Sequence, residues 1–97
     1  MRRVVILPAA EEDLDHIFAH TARTWSEEQA MRYLDLLEDS LSALAHRPSL
    51  ARLCESLRPG LRRQLVKSHV VYFLADEEEL TVVRVLHKSM LPERHAF

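Results

Sequence analysis

Ser26 is the position that most limits what this chain can become. It follows Trp25 and stands three residues ahead of Gln29, the S-x-x-Q form of a capping box, so a helix starts here. Upstream, Ala10, Leu14, Ile17, Phe18 and Thr21 recur at three- and four-residue spacing and predict a helix from about Ala9 to Arg23. Glu11, Glu12, Asp13 and Asp15 crowd its first turns, where carboxylates suit the positive end of the helix dipole. Downstream, Ala30, Tyr33, Leu34, Leu37, Leu41 and Leu44 form a second apolar stripe, which Pro48 ends near His46. About three residues join the two helices, so they fold back on each other as an αα-hairpin. Their stripes bury each other only in part. The remaining apolar surface requires another layer.

Strands supply that layer. Arg3 to Leu7 is a short β-branched run that Pro8 ends, and proline suits the first turn of the helix that follows. Residues 47–60, with Pro48, Pro59 and the only glycine, Gly60, read as irregular. Leu61 to Lys67, Val70 to Ala75 and Leu80 to Leu86 read as three strands joined by Ser68-His69 and by residues 76–79. Connections that short force antiparallel pairing. The order β-α-α-β-β-β gives an α+β domain: an N-terminal strand and an αα-hairpin packed on a small antiparallel sheet. The first strand is expected at one side of the three-strand meander. Ninety-seven residues have room for one core, so residues 1–97 form a single domain. Phe18, Leu34, Leu37, Leu41, Val83 and Val85 are the expected core, with Tyr33 completing it.

Composition narrows the function. Hydrophobic residues make up 47% of the chain, enough for a real core, which argues against disorder. A single cysteine, Cys54, rules out an internal disulfide and fits a reducing compartment. No apolar run approaches the roughly 20 residues of a membrane span. The opening MRRVVILPAAEEDLD begins like a signal peptide, but acids follow its short apolar run at once, so it reads as a strand entering a helix. A cytoplasmic protein is expected. Residues 1–50 carry five Arg and nine Asp/Glu, whereas residues 51–97 carry eight Arg/Lys and six Asp/Glu. Four of those six acids are Asp76 to Glu79, so the rest of the C-terminal half is basic and suits nucleic acid or an acidic partner.

Few chemistries have their parts. His16 and His20 lie four apart on the first helix, a spacing that can chelate zinc, but there is no H-E-x-x-H and Cys54 has no nearby cysteine. No metal or other cofactor is expected. One glycine cannot build a phosphate cradle, and no nucleophile motif is present. What remains is a basic set along the sheet and tail: Arg58, Arg62, Arg63, Lys67, His69, Arg84, His87, Lys88, Arg94 and His95. A metal-free ribonuclease needs such a base, acid and phosphate-binding cations. Strand alternation opposes one assembled site, because Arg62 and Arg63 point to opposite faces. Arg84 and His87 do so as well unless a bulge intervenes.

Four stretches, in order, resemble the ParE branch of the RelE/ParE toxin superfamily over essentially the whole chain. ILPAAEEDLDHIF is similar to its opening strand and acidic helix start, and WSEEQAMRYLDLLEDSLSALAHRP to its second helix. LRPGLRRQLVKSHVVYFLADEEELTVVRVLH is similar to its meander, and RVLHKSMLPERHAF to its R-[VI]-L-H ending and short basic tail. The resemblance implies a growth-inhibiting toxin of a type II toxin–antitoxin system that poisons DNA gyrase and has no catalytic residues of its own. It also implies a ParD-like antitoxin, assembled with the toxin as a hetero-oligomer, whose C-terminal segment folds on it. Arg62, Arg63, Arg84, His87 and Arg94 are the expected target contacts, and Met31 and Leu36 the expected antitoxin anchors. The sister RelE branch implies a ribosome-dependent mRNA endoribonuclease instead. Its members commonly carry a tail tyrosine or histidine, and here Tyr33 and Tyr72 lie outside the tail while His87, His95 and Arg84 remain. A non-toxic binding module is the third reading.

Overall fold

The computed structural model describes residues Met1–Phe97. Strand β1 (Arg3–Ile6) leads into helix α1 (Pro8–Thr24), with Pro8 at the first helical position. Ser26 caps α2 (Glu27–His46), its hydroxyl accepting from the Gln29 N–H at 3.0 Å. The two-residue gap between the helices makes the hairpin that the capping pattern demands.

Beyond Pro48 the chain forms β2 (Arg52–Leu53), β3 (Arg62–Val66), β4 (His69–Ala75) and β5 (Glu79–His87). The sheet order is β1-β5-β4-β3-β2. The meander is antiparallel as expected, and β1 lies at one side of it, parallel to β5 with Val4 opposite Leu80. The sheet is therefore mixed. Short turns fix the direction of neighbours in the meander, but β1 reaches β5 only through the helical hairpin, and no turn dictates its sense. β2 lies within the stretch expected to be irregular; its two residues pair with Arg62 and Arg63.

The turns have local causes. The β3–β4 turn is Lys67-Ser68, one residue earlier than expected, and Lys67 takes a left-handed φ of 55° there. Gly60 has φ 78°, a conformation glycine adopts without steric cost, just before β3. Asp76 holds the acidic turn by accepting from the Glu79 and Glu78 N–H groups at 2.7 and 2.8 Å. Those bonds, Glu79's first, keep its carboxyl below the usual carboxylate range.

Both faces of the sheet are covered. On one, Ala10 and Ile17 of α1 and Leu37, Leu41 and Leu44 of α2 meet Phe73, Leu80, Val82 and Val85. On the other, Leu61, Val70, Tyr72, Val83 and Leu86 lie beneath Cys54, Leu57 and Phe97. Val83 and Val85 are both buried, but on opposite faces. Leu34 and Phe18 are half-buried at the margin of the hairpin, with Leu34 packed against the core.

Candidate functional site

An open groove of about 910 Å³ lies between the helical hairpin and the end of β5. Ile17, Trp25, Leu36, Val85, Leu86 and Met90 give it an apolar lining. Tyr33 projects from α2 toward the β3–β4 turn, where its hydroxyl accepts from the Ser68 N–H at 3.2 Å. The same hydroxyl is hydrogen-bonded to Nδ1 of His69 at 2.6 Å. His69 stacks edge-on against His87, with ring centroids 5.3 Å apart. His87 is oriented in turn by the Ser89 N–H, which donates to its Nδ1 at 3.1 Å. Burial, with the His87 and His20 imidazoles adding to it, pushes His69 down to about 4, so the ring is neutral at pH 7.

A clamp closes the groove's other side. Asp13 of α1 accepts from Arg84 Nε and Nη2 at 2.8 and 2.9 Å, and from the Val85 N–H at 2.9 Å. The pair is mostly buried and bidentate, and it ties α1 to β5. The Asp13 bond holds the Arg84 guanidinium still more firmly protonated. The β4–β5 register slips at Tyr72/Phe73: Phe73 faces Val82 and Tyr72 faces Arg84, leaving Val83 as the extra residue. The bulge precedes Arg84 and the register from Arg84 to His87 is regular, so the two residues stay on alternate sides of β5 and meet only as lining of the groove at its end.

A profile described as "ParE toxin of type II toxin-antitoxin system, parDE" matches residues 4–92. The chain belongs to the ParE toxin family. It is 34% identical to Toxin ParE1 of Mycobacterium tuberculosis over 94 residues, covering 96% of each chain. It is 35% identical to Toxin ParE1 of Caulobacter vibrioides over 86 residues, covering 89% of this chain and 88% of that one. Among solved structures, a chain of the chromosomal ParDE system from P. aeruginosa superposes with a TM-score of 0.76 at 19% identity, over 90% of this chain and 96% of that one. A YafQ mutant from E. coli shares the fold more distantly, with a TM-score of 0.51 at 12% identity, over 92% of this chain and 96% of that one.

In this ParE-family chain the residues singled out from sequence do not form one site. Arg84 and His87 line the groove, but Arg84 is committed to Asp13. Arg62 donates to the Ala51 carbonyl at 2.8 Å. Arg63 lies over the Tyr72 ring, 5.8 Å from its centroid, on the face away from the helices. Arg94 is exposed in a short turn, Pro92–Arg94. Leu36 lines the groove at 37% exposure, and Met31, at 55%, lies outside its lining. No three His, Cys, Asp or Glu side chains converge to hold a metal; His16 and His20 face the groove instead. Tyr33, His69 and Trp25 are the groove residues that sequence reasoning did not connect. The capping pattern marks Trp25, but nothing local marks the Tyr33–His69 pair.

The His69 shift makes stability depend on pH. The unfolded imidazole takes a proton near pH 6.5 and the folded one only near 4, so the unfolded state binds more protons between these values. Stability is fully present above about pH 6.5 and is lost as pH falls toward 4, by on the order of 2 kcal/mol after allowing for solvent screening. His69→Gln should flatten that limb in urea titrations from pH 7 to 4. An unchanged slope would mean that His69 is not held neutral by the fold.

Proposed function

We propose that this chain is a toxin that binds DNA gyrase in the cytoplasm and arrests growth, thereby stabilising the plasmid or chromosome that carries it, and that a ParD-like antitoxin neutralises it in a hetero-oligomer. The family match over residues 4–92 carries this reading. The groove supports the antitoxin's part, because an apolar channel with Leu36 and Trp25 at its margin suits an amphipathic segment. Target contact then falls to basic groups outside the groove. Arg63 and Arg94 are exposed and make no ion pair, whereas Arg84 is neutralised by Asp13.

The same neutralisation disfavours a ribonuclease centred on His69 and His87. A phosphodiester there would need a free cation; of the groove's two arginines Arg84 is held by Asp13 in a mostly buried pair, and Arg32 lies in a solvent-exposed pair with Glu28 at 2.7 Å.

The deciding experiment is a gyrase supercoiling assay run beside ribosome-programmed mRNA cleavage. Lost supercoiling with linear, gyrase-bound DNA is expected. Codon-phased mRNA cuts with normal supercoiling would move the protein to the endoribonuclease reading. Silence in both would leave the binding module. An Arg63→Glu, Arg94→Glu double variant should lose toxicity by about tenfold or more while its urea midpoint stays put. Full toxicity in that variant would remove these two residues from the target contact. Leu36→Glu should weaken antitoxin binding by about tenfold, checked by titration calorimetry.

A further inference from the structure

Five of the six histidines in the chain line a single groove. His16 and His20 enter from α1, His69 from β4, His87 from β5 and His95 from the C-terminal tail. The other polar groups facing them are few. α1 adds Asp13, α2 adds Tyr33 and Arg32, and β5 adds Arg84. Asp13 is the groove's only acid, and its oxygens are already occupied by Arg84 and the Val85 N–H. Arg32 is occupied by Glu28. With neutral imidazoles the groove is therefore nearly compensated in charge. Each proton added to it is a positive charge with no carboxylate left to receive it.

Two of the rings are already tied at Nδ1: His69 to the Tyr33 hydroxyl at 2.6 Å, and His87 to Ser89, whose hydroxyl lies 2.7 Å and N–H 3.1 Å from it. The apolar lining of Ile17, Trp25, Leu36 and Met90 supplies the contact area around these rings. A segment lying on that lining removes water from the imidazoles beneath it, and desolvation penalises the charged form.

We propose that this groove is a proton-sensitive docking surface, which holds the apolar side of the antitoxin segment while its histidines are neutral and releases it when they become charged. The proposal rests on the antitoxin reading above and adds regulation to it. His69 is already neutral, so the remaining four histidines supply the response. An imidazole forced neutral by the bound segment weakens binding by about tenfold for each pH unit below its free value. Two such rings compound the effect.

The test uses full-length toxin and its cognate antitoxin. The dissociation constant is measured at pH 8.0 and pH 5.5 through the fluorescence of Trp25, the toxin's only tryptophan, with hydrogen exchange of the α1 and α2 amides followed in parallel. Weakening of about tenfold or more at pH 5.5 is expected, and most of it should vanish in a His20→Gln, His87→Gln variant. Thermal melts at both pH values establish that each protein is folded. If the His87 substitution prevents folding, His16→Gln, His20→Gln on the helix face takes its place. Affinity that varies by less than about twofold, or that tightens at pH 5.5, overturns the proposal. So does a pH dependence that the variant leaves intact, since the titrating groups would then lie elsewhere. Antitoxin that binds at pH 8.0 without changing Trp25 emission or protecting α1 and α2 removes the docking reading itself. Groove-protected binding that ignores pH removes only the regulation.

Discussion

Leu37→Ala is expected to lower the free energy of unfolding by roughly 2–5 kcal/mol. Leu37 is 2% exposed and belongs to the helix-side core with Leu41, Phe73 and Val82. Truncation removes apolar contact from both the helix and the sheet and leaves a cavity between two layers that cannot collapse freely. A domain this small has a total stability of only about 5–15 kcal/mol, so the loss is a large fraction of it. Urea unfolding should show a lower midpoint at an unchanged slope. A midpoint that does not move would mean that α2 turns another face to the sheet.

Asp13→Ala should be about as damaging, at roughly 3–5 kcal/mol, for a different reason. It strips the counter-charge from Arg84, whose side chain is only 18% exposed, and leaves the Val85 N–H without its acceptor. The loss comes from the stranded cation more than from the missing attraction. Arg84→Met added to Asp13→Ala should therefore recover much of the stability, because it removes the uncompensated charge. A single variant within about 0.5 kcal/mol of the parent would reduce the clamp to an ordinary surface pair. The clamp also changes how charge reversal at Arg84 is to be understood. A glutamate there would face Asp13 directly, so lost toxicity would report unfolding rather than target contact. Arg63 and Arg94 carry no such ambiguity.

Local signals were strong wherever a single segment decided the outcome. The Ser26 cap, the two apolar stripes and Pro48 place both helices to within a residue or two, and tight turns place the meander. The four family-like stretches match a profile spanning residues 4–92. The two-residue strand β2 escaped because it has no pattern of its own and exists only through pairing with β3. Val83 and Val85 were legible as buried but not as lying on opposite faces, since strict alternation puts residues two apart on one side and only the bulge separates them.

By itself, then, the sequence determined the order β-α-α-β-β-β, the hairpin, the family and the concentration of histidine and arginine. The order and the hairpin follow from periodicity and caps, which act over a few residues, and the family from four characteristic stretches in sequence. The tertiary structure alone decided which of those side chains share a groove. Tyr33 meets His69 across 36 positions and Asp13 meets Arg84 across 71, distances over which no periodicity carries information. The packing of the hairpin on the sheet sets those meetings, with α1 lying against β5 and α2 reaching the β3–β4 turn. Arg84 therefore became a buried clamp, and the histidines came to line one groove.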